Sequence, residues 1–318
     1  MFTFVQKRRW FFLISAAFII PGLVIMLYSL VTTGSLFRLS NDFLGGSIYE
    51  LQFTESGIDE TVLRQVFTDF GNTDLTIQQV GAVEDDRWSV RTGFQDAGTT
   101  DAIINRLDEI ASLDRDRLFS ESVSATVGQE VTRSAVLAVT IAAVIVTGFI
   151  VLAFRQVPDA FRYGVCAIIA MIHDVLIVCG LVSLMGLIAG WEVDALFLTA
   201  VLTIVGFSIQ DTIVMFDRIR ENIPKYLGEP YEVIVNRSIL ETLHRSLATQ
   251  LNAFFVMAAI LLFGGDSIKQ FIATLFIGLI SGTYSSIAIA VPLLVAWEKG
   301  EIPFLKPKHL QSAAAAEG

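Results

Sequence analysis

Charge is what this chain has least of. Asp, Glu, Lys and Arg make up 17% of its 318 residues, where water-soluble domains carry about 25%. With 53% of residues hydrophobic and a mean hydropathy of +0.63, a wholly water-soluble protein is excluded and an integral membrane protein is expected. Cysteine is nearly missing as well. Cys166 and Cys179, 13 residues apart in one apolar run, provide neither a disulfide framework nor a metal-ligand cluster and read as packing residues. Low-complexity sequence is confined to an Ala-rich tail at 313–316, expected to be disordered.

One stretch lacks Lys, His and Cys altogether. Between residues 34 and 132, seven Arg stand against 18 Asp and Glu, a net charge of −11 beside −10 for the whole chain. The acidity therefore belongs to one water-soluble domain with a solvated surface. Without His, Cys or a Gly-rich phosphate loop it offers nothing for catalysis, and a positioning or polypeptide-contacting role is expected. Alternation at Ser47–Thr54 predicts a strand, and Ile58–Phe70 has helical spacing. Leu75–Val83 and Arg87–Gly93 read as two strands joined by a turn through Glu84, Asp85 and Asp86. Thr100–Ala111 reads as a second helix and Phe119–Val127 as a last strand. The order β-α-β-β-α-β matches a ferredoxin-like unit.

Six apolar runs are long enough to cross about 30 Å of hydrocarbon at 1.5 Å per residue. They are Trp10–Thr33, Ser134–Phe154, Tyr163–Leu187, Leu196–Phe216, Leu247–Phe263 and Phe271–Trp297. No small-x-small cleavage site closes the first, so it reads as an uncleaved anchor, with Pro21 a candidate kink. Basic residues cluster at alternate ends: Lys7, Arg8 and Arg9, then Arg155 and Arg162, then Arg218, Arg220, Lys225 and Arg237, then Lys299, Lys306 and Lys308. The opposite short loops hold Lys269 alone. By the positive-inside rule both termini are cytoplasmic and the acidic domain is external. The expected plan is an N-terminal segment with the first span (1–33), the external domain (34–132), a five-helix bundle (133–300) and a cytoplasmic tail (301–318).

The few polar side chains inside those spans are the functional candidates, because Asp or Arg in hydrocarbon costs roughly 2.5–3.5 kcal/mol on insertion scales. Asp211 lies five residues before the end of the fourth span, roughly 8 Å inside it, and shares a helix face with Ser208 and Thr212. His173 and Asp174 lie deeper, in the third span. Thr242, Arg245, Thr249 and Asn252 are spaced by three, four and three, which predicts one polar stripe that would carry Arg245 to the depth of Asp211. Burial disfavours a charged carboxylate and a nearby guanidinium favours it. Movement of Arg245 relative to Asp211 would then convert a conformational change into proton uptake and release. Plainer roles compete: a permanent Asp211–Arg245 clip, Arg245 snorkelling to headgroups, His173 as an interhelical hydrogen-bonder, and Asp217 and Arg218 as topology signals. Gly278, Gly282 and Ser286 recur every four residues, which permits close helix packing.

The segment LTIVGFSIQDTIVMFDRIREN (Leu202–Asn222) closely resembles the signature of the SecF family of protein-export membrane subunits. NDFLGGS (Asn41–Ser47), the His173–Asp174 pair, NRSILETLHRSLAT (Asn236–Thr249), FGG (Phe263–Gly265) and GTYSS (Gly282–Ser286) agree in order and spacing. The resemblance implies a mostly α membrane protein, a six-helix RND-type half with one external α+β domain, that pairs with SecD. It further implies a non-enzymatic subunit, without cofactor, metal or nucleic acid, that uses the proton-motive force to promote late preprotein translocation beside SecYEG and YajC in the lipid of the cytoplasmic membrane. Asp211 and Arg245 match the family's proton-pathway charges, and Asp174, next to His173, its polar third-helix position. Gln210, Thr249 and Asn252 would support them, while Asp42, Gly45, Gly46, Asp217, Arg218, Arg220 and Asn222 carry the family motifs. Departures are small: Ser40-Asn41 before Asp42, then Leu44, Gln210 and His244. An RND-type exporter of small molecules or lipids is the alternative, although such exporters carry two large external domains. An intramembrane aspartyl protease is disfavoured, because its GxGD positions read Ser208-Ile209-Gln210-Asp211 here.

Overall fold

A computed structural model describes residues 4–54, 58–80, 86–155 and 160–302. A 3-10 turn (Val5–Lys7) leads into α1 (Arg8–Thr33), which passes through Pro21 without a break. Then follow α2 (Asn41–Leu44), β1 (Gly46–Gln52), α3 (Glu60–Asp69), β2 (Thr76–Gln79), β3 (Arg87–Thr92), α4 (Ala97–Ile110) and β4 (Phe119–Val123). The remaining helices are α5 (Ala125–Phe154), α6 (Ala160–Ala189), α7 (Ala195–Lys225), α8 (Tyr231–Phe263), α9 (Asp266–Ser285) and α10 (Val291–Glu298). A π-helical segment, Ser286–Ala290, joins α9 to α10. It sits just before Pro292, whose missing N–H would leave a gap in a regular α-helical ladder. The chain divides into two compact units, residues 39–137 and the remainder.

In the 39–137 unit the strands form one antiparallel sheet of order β2-β3-β1-β4. Tyr49, Leu51 and Val90 project from one face and are almost fully buried. They pack on Leu63, Val66 and Phe67 of α3 and on Ile103, Ile104 and Leu107 of α4, whose spacing of three and four makes one apolar stripe per helix. The second helix begins at Ala97 rather than the expected Thr100, because Asp96 caps it by accepting the Thr99 N–H at 2.7 Å. The last strand stops at Val123 rather than Val127. Ser124 accepts the Val127 N–H at 3.3 Å and starts α5 there, nine residues before the expected Ser134. Residues 81–83 of the expected third element, Glu84 and Asp85 of its turn, and the tail with Lys306 and Lys308 lie outside the described residues.

Two glycines of the family-like motif have a steric reason in this unit. Gly46 has φ +119°, and a Cβ there would lie 2.8 Å from the Thr92 carbonyl oxygen. Gly45 has φ +74°, and a Cβ would lie 2.9 Å from the Ala125 Cα. Neither position has room for a side chain.

Among the described residues of the chain, six helices are long and apolar enough to cross a membrane: Val5–Thr33, Ala125–Ala153, Ala160–Ala189, Ala195–Lys225, Tyr231–Phe263 and Ile268–Glu298. This is a multi-pass membrane protein. The fifth span starts 16 residues before the expected Leu247, since Ile234, Val235 and Ile239 are buried beside Asn236, Ser238 and Thr242. Helix α6 packs on α1, α7 and α9, and α7 and α9 pack in turn on α8. Contacts of α1 and the residues just after it with α6 advance together along both helices, from Ser15–His173 through Gly22–Gly180 to Leu36–Ser183, so these helices run parallel. At the Gly22–Gly180 crossing, a Cβ on Gly180 would lie 2.8 Å from the Gly22 Cα. The Gly278/Gly282 stripe of α9 faces α7, at Ile204 and Ser208. Cys166 is buried in the bundle core and Cys179 half-buried; both are free thiols.

Candidate functional site

Asp174 has no exposed surface, and hydroxyls from two neighbouring helices converge on its carboxylate. Ser208 of α7 and Ser285 of α9 each donate to Oδ2 at 2.6 Å. Ser281, one turn before Ser285, donates to Oδ1 at 2.6 Å, and His173 Nδ1 lies 3.0 Å from the same oxygen. With two partners on each oxygen the group is fully solvated by protein, which is how a buried charge is tolerated. Gly282 keeps the approach open, since a Cβ there would lie 3.7 Å from Asp174 Oδ2.

His173 extends the network to α1. Its Nε2 lies 2.9 Å from Ser15 Oγ, Ser15 lies 3.3 Å from the Tyr284 hydroxyl, and that hydroxyl donates to the Phe11 carbonyl at 2.8 Å. The imidazole stacks on the Tyr284 ring with centroids 6.0 Å apart. Ser15, Ser281 and Tyr284 also border an apolar cavity of about 480 Å³ between α1, α6 and α9.

Asp211 forms a second, separate centre. Gln250 of α8 donates to its Oδ2 at 2.6 Å, and Ser246, one turn earlier, bonds the same carboxylate. Thr212 is buried next to it and donates to the Ser208 carbonyl at 3.0 Å. Arg245 does not face Asp211, contrary to the expected stripe. The buried polar face of α8 is Thr242, Ser246 and Gln250, spaced by four, whereas Arg245, Thr249 and Asn252 are exposed. Successive helical residues turn by about 100°, so burying Ser246 turns Arg245 outward; among the described residues Arg245 has no ion pair. Gln210 is exposed on α7. All four are polar groups left exposed on two apolar helices.

The motif at the end of α7 ties that helix to α8. Arg218 pairs with Glu221 at 2.8 Å and Glu241 at 2.6 Å, and Asp217 with Arg220 at 2.7 Å. Asn222 is buried and donates to Ser238 at 3.0 Å and Glu241 at 2.8 Å. Asp42 sits in α2, in the other unit, where its N–H is accepted by Ser40 Oγ at 3.2 Å.

Comparison with known proteins bears on this arrangement. Residues 103–300 match the family model described as protein export membrane protein SecD/SecF, C-terminal. The chain is 45% identical over 304 residues to the protein translocase subunit SecF of Anaerolinea thermophila, covering 95% of this chain and 96% of that protein. The chain belongs to the SecD/SecF family of protein-export membrane proteins. A SecF of Thermobaculum terrenum is 40% identical, with 94% of each chain covered. The SecD/SecF fold extends to a solved structure, SecDF of Thermus thermophilus, titled a translocon-associated membrane protein, at TM-score 0.74 and 31% identity. That match covers 94% of this chain and 39% of the solved one, so the chain spans about two fifths of SecDF.

The residues that sequence reasoning missed are Ser15, Ser246, Gln250, Ser281, Tyr284 and Ser285. For Ser246 and Gln250 a signal existed, the repeat of four from Thr242. For the serines on α1 and α9 only the convergence of helices reveals the role.

Proposed function

We propose that this chain is the SecF-type subunit of a Sec protein-export complex and that, with SecD, it uses the proton-motive force to promote late steps of preprotein translocation across the cytoplasmic membrane. The observation that carries this reading is Asp174, a carboxylate without exposed surface held by Ser208, Ser281, Ser285 and His173 within apolar helices. Ionisable groups inside a membrane bundle mark proton or ion pathways by default. Asp211, His173 and Arg245 complete the proposed pathway, with Ser208, Thr212, Gln210, Thr249 and Asn252 in support. The driving force is about 2.3 kcal/mol per charge for each 100 mV.

A SecD half is the partner that best covers the exposed polar groups Gln210, Arg245, Thr249 and Asn252. Polar and charged groups are costly against lipid, and a second helix bundle relieves that cost. In this reading Arg245 meets groups of SecD, and Asp211 lies just behind it. SecYEG, YajC and the moving preprotein are the further partners. Both termini are cytoplasmic by the distribution of Lys and Arg, and the 39–137 unit is external. Its β-α-β-β-α-β order and sheet order β2-β3-β1-β4 support a ferredoxin-like module that contacts polypeptide.

Asp211→Asn tests the coupling. It should abolish gradient-dependent stimulation of export in membrane vesicles while leaving the subunit inserted, and full retention of that stimulation would remove Asp211 from the pathway. Copurification separates the exporter alternative: SecD supports export, and a soluble adaptor supports efflux.

A further inference from the structure

We propose that the apolar cavity between α1, α6 and α9 seats one acyl chain of a bilayer phospholipid. The inference needs the helices to span a membrane, and it stands whether or not the bundle moves protons.

At about 480 Å³ the cavity falls within the range of about 300–1,000 Å³ typical of sites that hold small molecules. Helix α6 packs on both α1 and α9, so its half-buried Leu181 and Leu184 form the floor. Ile25 of α1 stands on one wall and Ile277 of α9 on the other. The rim residues Ile14, Phe18 and Ile280 are exposed, and the cavity opens between them toward lipid.

The lining decides the chemistry of the occupant. Three hydroxyls border the cavity, and each is bonded within the protein. Ser281 donates to Asp174, Tyr284 donates to the Phe11 carbonyl, and Ser15 is held between His173 and Tyr284. A charged or hydrogen-bonding ligand would lose its hydration there without return. Water is excluded for the same reason, since apolar cavities stay dry. Left empty, the lining forfeits its dispersion contacts. Hydrocarbon restores them.

Shape narrows the choice to an extended chain. Along α1 the lining runs from Ile14 to Ile25, about 16 Å at the helical rise, close to the roughly 15 Å of hydrocarbon in one leaflet. The span Val5–Thr33 has its midpoint at Ile19, so the trench straddles the depth at which acyl chains end. A second helix is the rival occupant. With its side chains it is about 10–12 Å across, and the polar groups offered to SecD turn another way. Phe254 of α8 borders the adjoining apolar groove with Ile280 and Tyr284. It follows Arg245 by nine residues, which places it on the opposite side of α8. An acyl chain in the trench covers the lipid side of the Ser15–His173 and Ser281–Asp174 contacts and keeps water from them.

The test is photolabelling of the full chain, coproduced with SecD, in bilayers containing a phosphatidylglycerol with a diazirine midway along one acyl chain. Mass spectrometry should find adducts on the recessed Leu181 and Leu184 as well as on the openly exposed Ile145 of α5. Ala17→Phe and Ile277→Trp fill the cavity from opposite walls. Each should lose the floor adducts and keep the one at Ile145, with thermal unfolding near that of the parent; two substitutions allow for one that does not fold. Labelling of Ile145 with none at the floor overturns the proposal, as does floor labelling indifferent to both substitutions. A photoactivatable leucine at position 181 that crosslinks to SecD also overturns it, because a helix then occupies the trench. Gradient-dependent export in vesicles is a separate readout, and its loss or retention leaves the adducts at the floor to be judged on their own.

Discussion

Asp174→Asn and Asp211→Asn remove the same charge from the same bundle, yet their surroundings dictate different costs. At Asp174 the amide keeps one acceptor oxygen. Placed at the Oδ1 position it retains Ser281 and His173, and the new NH2 then faces the hydroxyls of Ser208 and Ser285. Both hydroxyl oxygens can accept from it; Ser285 then turns its hydrogen to the Gly282 carbonyl at 3.2 Å, while Ser208 must find a new acceptor for its own. Hydrogen bonds to a charged group contribute about 1.5–3 kcal/mol each, and neutral ones about 0.5–1.5. Losing one of the former and weakening the rest, less the relief of not burying a charge, leaves a net cost of about 2–4 kcal/mol. At Asp211 the partners adapt: the Gln250 amide turns over to present its carbonyl, and Ser246 can donate or accept. The expected cost there is within about 1 kcal/mol. Thermal unfolding of the two full-length variants in the same detergent, with their abundance in membranes, measures the contrast. Equal losses, or a larger loss for Asp211→Asn, would refute the assignment of Asp174 as the carboxyl group on which α6, α7 and α9 are assembled.

Gly180→Ala places a methyl 2.8 Å from the Gly22 Cα, so α1 must retreat; an overpacking cost of about 1–3 kcal/mol should appear in thermal unfolding. Gly206→Ala, with open space at its Cβ, is the silent control. Gly46→Ala combines the left-handed φ of +119° with a 2.8 Å approach to the Thr92 oxygen, and should make the 39–137 unit the first segment cut in limited proteolysis. Asp96 and Asp108 have carboxyls below the ordinary range, held there first by the backbone N–H groups of Thr99 and Leu113 and, for Asp108, also by Arg115. Their stabilisation is therefore complete above the unfolded value of about 4 and is lost as pH falls through the lower folded values. Carboxyl-carbon NMR should place both midpoints below about 3.9.

The spans were legible because apolar length is a property of the sequence itself, and the strands because alternation is. Their ends were not, since Ser124 and Asp96 act as caps only once the backbone turns at them. On α8 two stripes were open to choice, one through Arg245 and one through Ser246, and helical spacing alone permits both. Charge drew attention to the first, although a guanidinium is the group a buried face accepts least readily. Asp174 and His173 were visible as polar residues deep in an apolar run. Ser15 and Ser281 were not, because a lone serine in a helix commonly satisfies its hydroxyl on its own backbone, and Ser285 stood in the GTYSS motif without an assigned role. Their importance arises from three helices meeting at one carboxylate.

The paired glycines where α1 crosses α6 give the bundle a fulcrum. Gly22 stands seven residues beyond Ser15, and Gly180 seven beyond His173, so each lever arm is about 10.5 Å long. A tilt of about 5° at the crossing would carry the Ser15 hydroxyl about 0.9 Å along its arc, enough to open or close its bond to the imidazole. Rocking of the first helix about that crossing would therefore be read first at the Ser15–imidazole bond.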